Sequence, residues 1–279
     1  MLYLCATPIG NLGDMTERCV EILKNVDVIA AEDTRNSIRL LNHFDIHTPM
    51  TAYHEYNRYD KAEALVEKLR EGASVACITD AGTPGISDPG EVLVKKCIEA
   101  GIPVTSVPGA CAAVSALILS GLSTRRFRFE GFLPTEKKER KEALSDLQNE
   151  TCTLIFYEAP HRLKRTLSDL CEAFGDRRVS VVRELTKKHE EVLRMTLREA
   201  VLYYEKEEPR GEFVLVLEGR SREARQEEER AAWERMSVLE HVQYYEAQGL
   251  SRKDAMKAAA KDRNVTRREI YSELLPEKD

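Results

Sequence analysis

A chain of 279 residues is long enough for two domains with sizeable cores, and 42% hydrophobic with 32% charged side chains is ordinary for a globular protein. No apolar run approaches the roughly 18 residues of a membrane span, and the turn at Pro8 comes too early for a secretory leader, so the expected setting is the cytoplasm, away from any membrane. The net charge of −6 excludes a uniformly basic coat, and seven cysteines without a CxxC pair read as reduced, buried thiols with no metal site.

In chain order, Leu2 to Ala6 is a short apolar run closed by a turn and reads as a buried strand. Thr16 to Leu23 has helical spacing, with Asp14 and Glu17 as a capping box at its start. Strands are expected over 27–31, 74–79 and 103–107, and helices over 62–70, 91–100 and 110–119. This alternation predicts a mainly parallel sheet covered on both faces, within a domain spanning 1–121. A second domain, 122–220, opens at Arg128-Phe129-Glu130-Gly131-Phe132 and shows the α+β pattern of a mixed sheet with antiparallel pairing. Beyond it, 221–279 reads as a charged connector followed by helices over 237–248 and 252–261 and a third capped by Thr266. That spacing resembles a helix-turn-helix tail. The fold class is therefore α/β, two domains with a small helical tail.

Charge is unevenly distributed. Residues 1–120 carry 10 basic against 16 acidic side chains, while 121–190 carry 15 against 12. An acidic chain can still grip a polyanion where its cations converge.

Three glycine-bearing turns follow predicted strands: Thr7-Pro8-Ile9-Gly10-Asn11, the stretch from Asp80 to Gly90, and Pro108-Gly109-Ala110-Cys111-Ala112. Ligands of open α/β sheets bind beyond the carboxyl ends of strands, where such turns gather. The second turn holds three glycines and two prolines in eleven residues, more than a connection of about 2–6 residues needs. Neither GxxxxGK[ST] nor GxGxxG after a strand occurs, so the ligand is one recognised by backbone groups rather than a polyphosphate. No Ser/His/Asp or Cys/His signature stands out, which favours group transfer over hydrolysis.

The order of Thr7 to Asn11, Ala31-Glu32-Asp33-Thr34-Arg35, His54-Glu55-Tyr56-Asn57, Asp80 to Gly90, Pro108-Gly109-Ala110, Tyr157-Glu158-Ala159-Pro160-His161-Arg162 and Arg183-Glu184-Leu185-Thr186-Lys187 closely resembles the RsmI family. Its members are bacterial small-subunit ribosomal RNA 2′-O-ribose methyltransferases within the tetrapyrrole methylase superfamily. The resemblance spans nearly the whole chain. It implies S-adenosylmethionine in a cleft between two α/β domains, a homodimer, and a cytidine ribose in the decoding region of 16S rRNA on the small ribosomal subunit as acceptor. Carried over by position, Pro8, Gly10, Gly82, Thr83, Pro84, Ile86, Cys111, Ala112, Tyr157, Ala159, Gly211 and Glu212 are the expected cofactor residues. Related tetrapyrrole enzymes have an aspartate where this chain has Thr83, so the contact there is expected through the backbone.

A ribose hydroxyl is a weak nucleophile that a nearby base assists. The candidates are Glu32 and Asp33 at a strand end and His54 with Glu55; helix capping is the competing role for Asp33. Expected RNA contacts are Arg35, Arg126, Lys137, Lys138, Arg162, Arg165 and Lys187, drawn from basic runs that include Arg140 and Lys141. Two rivals share these features: a methyltransferase acting on a tetrapyrrole or other small molecule, and a non-catalytic RNA-binding assembly factor.

Overall fold

The structure, a computed structural model, describes residues 1–221, 233 and 235–274. Of the charged connector expected from 221 onward, only Ser221, Trp233 and Arg235 fall among the described residues.

The first sheet contains β1 (Leu2–Cys5), β2 (Val28–Ala31), β3 (Met50–Ala52), β4 (Val75–Ile78) and β5 (Val104–Val107), all parallel in the order β3-β2-β4-β1-β5. The helices between them are α1 (Glu17–Asn25), α2 (Thr34–His43), α3 (Arg58–Arg70) and α4 (Gly90–Glu99). Side chains alternate across a strand, so both faces of β4 must be covered, and its four residues are all buried. On one face Cys77 and Val75 meet Leu65, Leu69, Leu93 and Cys97 from α3 and α4. On the other, Ala76 and Ile78 meet Cys19, Leu23 and Leu41 from α1 and α2. The cap of α1 is Thr16, whose side chain accepts from the Cys19 N–H, rather than Asp14. Asp14 is taken up by a single 3-10 turn over Leu12–Asp14.

The second sheet is reached through α5 (Ala112–Ser120). It is built from β6 (Phe127–Phe132), β7 (Thr153–Glu158), β8 (Arg178–Arg183), β9 (Glu191–Thr196) and β10 (Phe213–Leu217), with α6 (Lys137–Leu147), α7 (Pro160–Phe174) and α8 (Leu197–Lys206) between strands. The order is β6-β7-β10-β8-β9, with β6 and β7 parallel and the remaining pairs antiparallel. Helix α5 is apolar all round, and its Ala113, Ala116 and Leu117 pack on Ile155, Val182, Val214 and Val216 of this sheet. Both sheets lie in one compact unit, Met1–Asp146 with Cys152–Glu218.

The other unit, Leu147–Thr151 with Gly219–Asp279, contains α9 (Val238–Ala247), α10 (Arg252–Asp262) and α11 (Arg267–Leu274). Ser237, Ser251 and Thr266 each accept from a backbone N–H three residues on, which starts the three helices where the sequence places Ser or Thr before an apolar-spaced run. Val242, Ala255, Met256, Ala259 and Ile270 make their core. His241 is fully buried beside it and stacks on Trp233 with centroids 4.1 Å apart.

Candidate active site

The three glycine turns are stitched together beyond the carboxyl ends of the first sheet's strands. Thr7 exchanges two backbone hydrogen bonds with Gly82, at 2.9 and 3.1 Å, and its hydroxyl donates to the Thr79 carbonyl at 3.0 Å. Gly82 has φ +85°, and a Cβ there would stand 3.2 Å from Ile9 and 3.4 Å from the Ala110 carbonyl, so only glycine lets the turns close this far. The Thr83 hydroxyl donates to that same Ala110 carbonyl at 2.9 Å, tying the second turn to the third. Within the long loop, both Asp88 carboxylate oxygens accept backbone N–H groups, from Gly85, Ile86 and Gly90 at 2.7–3.1 Å.

These turns and the ends of β6, β7, β8 and β10 in the second sheet enclose a cavity of about 510 Å³. One wall is apolar: Ile9, Phe132, Tyr157, Val182, Leu185 and Val214. Tyr157 packs edge-on against Phe129 and Phe132, and its hydroxyl accepts the Ala113 N–H at the start of α5 at 3.1 Å. Burial pushes its phenol up to about 12, so it stays a neutral hydrogen-bonding group. The charged wall holds Glu32, Asp80, Asp88, Glu158 and Glu212, and no lysine or arginine is among the lining residues. Glu158 is buried and accepts the Thr166 hydroxyl at 2.5 Å and the Ala159 N–H at 2.9 Å. Among the described residues no cluster of three or more His, Cys, Asp or Glu is placed to hold a metal.

Of the expected cofactor residues, Gly82, Thr83, Ile86, Cys111, Ala112, Tyr157, Ala159 and Glu212 line the cavity, while Pro8, Gly10, Pro84 and Gly211 stand in the turns behind it. Gly10 lies under the aliphatic stem of Lys187, whose ammonium sits between Glu184 at 2.9 Å and Glu212 at 2.7 Å. Lys187 thus fastens the first turn to the second sheet. Glu32 lines the cavity, its carboxylate accepting the Thr79 hydroxyl at 2.6 Å. Asp33 does not line it: it caps α2, and the Arg35 guanidinium holds its carboxyl down to about 2. His54 and Glu55 also stand outside the lining, in a 3-10 turn after β3 where Glu55 pairs with Arg58.

Asp80, Asp88 and Glu158 are cavity carboxylates not among the expected site residues, although Asp80 opens the loop from Asp80 to Gly90. The surroundings of Asp80 set it apart. It accepts the Asp33 N–H at 3.2 Å and the Asn36 amide at 3.3 Å. Burial, reinforced by the Glu32 and Asp33 charges, pushes its carboxyl above the ordinary carboxylate value against those two donors.

Among the expected RNA contacts, Arg35, Arg126, Lys137, Lys138 and Arg165 are exposed. Arg162 is half-buried, donating to the Leu133 carbonyl and pairing with Glu158 at 3.4 Å. Arg140, in the middle of the basic run, is buried and bonded to Asp169 at 2.6 Å and Thr166 at 2.8 Å. It belongs to the packing of α6 on α7 and is withdrawn from any polyanion surface.

A parallel sheet joined to a mixed one, with turns from the first enclosing a cavity against the second, is the architecture of one methylase class. The profile of the tetrapyrrole (corrin/porphyrin) methylases matches residues 1–201, and the chain belongs to that family. It is accordingly a methyltransferase. It is 51% identical over 271 residues to ribosomal RNA small subunit methyltransferase I of Halalkalibacterium halodurans, covering 97% of this chain and 93% of that one. To the protein of the same name from Bacillus subtilis it is 48% identical over 271 residues, covering 97% and 92%. Uroporphyrin-III C-methyl transferase from Thermus thermophilus, solved with S-adenosyl homocysteine, shares the fold at a TM-score of 0.55 and 19% identity, covering 78% of this chain and 96% of that one.

Proposed function

We propose that the protein transfers a methyl group from S-adenosylmethionine to the 2′-hydroxyl of a cytidine ribose in the decoding region of 16S ribosomal RNA. The observation that carries the cofactor is the charge of the cavity, whose lining holds no lysine or arginine. Glu212 is paired with Lys187 and Glu158 with Arg162 from outside the lining, but Glu32, Asp80 and Asp88 form no salt bridge among the described residues. Such a wall attracts a sulfonium cation and repels a polyphosphate. The apolar wall of Ile9, Phe132, Tyr157 and Val214 suits the flat face of an adenine. The backbone groups of Thr83 and Ala112, which line the cavity, suit its polar ends. S-adenosylmethionine supplies, when bound, a methyl group electrophilic enough to need no covalent enzyme intermediate.

The chain's own contribution is to orient the acceptor and take its proton. Glu32 and Asp80 share the charged wall, and Asp80, whose carboxyl burial raises above its ordinary value, is placed to accept a hydroxyl proton. The names and near-complete coverage of the relatives support ribosomal RNA as substrate, and the exposed Arg126, Lys137, Lys138 and Arg165 support phosphate contact. A cytoplasmic homodimer fits the exposed Val114 and Ile118 on α5, an apolar face that a second copy would cover.

Incubation with methyl-labelled S-adenosylmethionine and small ribosomal subunits, naked rRNA or a tetrapyrrole precursor tests the reading. Label at an alkali-resistant ribose in rRNA is the expected result. Label in the tetrapyrrole, or none while the cofactor binds, overturns it.

A further inference from the structure

The segment Tyr53–Tyr59 contributes nothing to the cavity lining, yet its first residue is bonded to β2 one residue before the cavity carboxylate Glu32. It follows β3, which pairs with β2 in the register Ala52 to Ala31, and the Tyr53 N–H donates to the Ala31 carbonyl at 2.8 Å. Glu32 is the next residue along β2's exit. The base of the segment is rigid. Tyr53 is buried and its hydroxyl donates to the Pro89 carbonyl at 2.7 Å. The Asn57 side chain bridges the turn, its oxygen accepting the His54 N–H at 2.9 Å and its amide donating to the Ala52 carbonyl at 3.2 Å.

On this base two aromatic rings face water, Tyr56 at 98% exposure and Tyr59 at 58%. The Arg58 guanidinium covers the Tyr59 ring at 4.9 Å, and the His54 ring meets Tyr56 at 6.1 Å. Arg35, its side chain 89% exposed while bonded to Asp33, lies in the first turn of α2, and the Arg58 guanidinium is shared with Glu55. A tyrosine so fully hydrated gains almost nothing from burial, so its placement on an anchored turn has no explanation in folding. Unpaired RNA bases are held by such rings, which offer a flat face at little conformational cost, with guanidinium groups beside them for phosphate.

We propose that Tyr56, on the turn that also carries Arg58 and Tyr59, is a stacking platform for an unpaired nucleobase of the RNA, next to the one whose ribose enters the cavity. This rests on the RNA reading above and assigns to the His54-Glu55-Tyr56-Asn57 turn a role in holding substrate rather than in moving a proton. The test is methyl transfer into small-subunit rRNA by the wild type, Y56A, Y56F and Y56W. Cofactor affinity, melting temperature and sedimentation mass are followed for each. Y56A raises the KM for RNA by about tenfold or more, Y56F and Y56W stay near the wild type, and the other three readouts do not move. A Y56A KM within about twofold of a wild type that methylates the RNA overturns the platform and leaves the RNA reading standing. A lower mass for Y56A assigns the ring to a contact between copies and also overturns it. A wild type that puts no methyl group into RNA overturns both.

Discussion

Glu32 and Asp80 leave neighbouring strands side by side, but their surroundings separate them. Glu32 accepts a hydroxyl from Thr79, whereas Asp80 is partly buried between two other carboxylates and compensated by one backbone and one amide donor. A carboxyl whose native pKa is raised binds its proton more tightly folded than unfolded, so its ionisation lowers stability as pH rises through that window. For a base this is a useful strain, because the ionised form is the reactive one and takes a proton more readily. Asp80→Asn is therefore expected to lower kcat by about a hundredfold, with cofactor affinity falling only a few-fold because Glu32 and Asp88 keep the charge of the wall. It removes the acidic limb of the kcat–pH profile and leaves the melting temperature at pH 7 equal to or above that of the wild type. A variant that melts lower and loses cofactor binding along with kcat would make Asp80 a structural residue of the loop.

Helices and strands differ in how far their origin could be read in advance. The parallel sheet was legible because β1, β2 and β4 are apolar runs closed by turns and β5 sits between proline-marked turns, and the tail because Ser237, Ser251 and Thr266 precede helical spacing. Helix α2 was not, because Thr34–His43 is largely polar and buries only Ser37 and Leu41. Strand β3 has three residues, too few to show a period, and α8 follows β9 without a break. The turns of the site were visible as glycine and proline, but Glu158 was not, since a carboxylate ending an apolar strand gives no sign that Thr166, eight residues on, will hold it. The helical tail carries a prediction of its own. His241 is buried against Trp233 and takes the Arg263 guanidinium on Nδ1 at 3.1 Å. Burial first, then the Arg263 charge, lowers its pKa from the ordinary 6.5. Its neutral form therefore stabilises the fold fully above about pH 6.5, and that contribution is lost as pH falls and the unfolded chain takes up the proton. Trp233 is the sole tryptophan, so thermal melting followed by its fluorescence is expected to shift down between pH 7 and 5, and His241→Phe, which keeps the stack, to flatten that shift. An unchanged slope in H241F would remove His241 as the cause.

Across the whole molecule, charge is segregated by task. The net charge is −6, yet the cavity collects carboxylates while exposed cations of 121–190, among them Arg126, Lys137, Lys138 and Arg165, face solvent. Such a division suits a reaction whose donor is a cation and whose acceptor is a polyanion, because each is drawn to a different part of the same surface. It also sorts the basic run on α6. Arg140 is neutralised inside the fold by Asp169, so replacing it reports on stability. Lys137 and Lys138 are exposed, Lys138 reaching only Glu142 at 4.0 Å, so replacing them reports on RNA. Each phosphate contact on a single strand contributes roughly 0.7 to the slope of log affinity against log salt. The Lys137→Ala, Lys138→Ala double variant is thus expected to lower that slope by about 1–1.5, weakening RNA binding at low salt and hardly at all at high salt. Its melting temperature and cofactor affinity should match the wild type. Equal slopes for the two proteins in a salt titration of rRNA binding would take α6 out of the interface and leave Arg126 and Arg165 as the cations to test next.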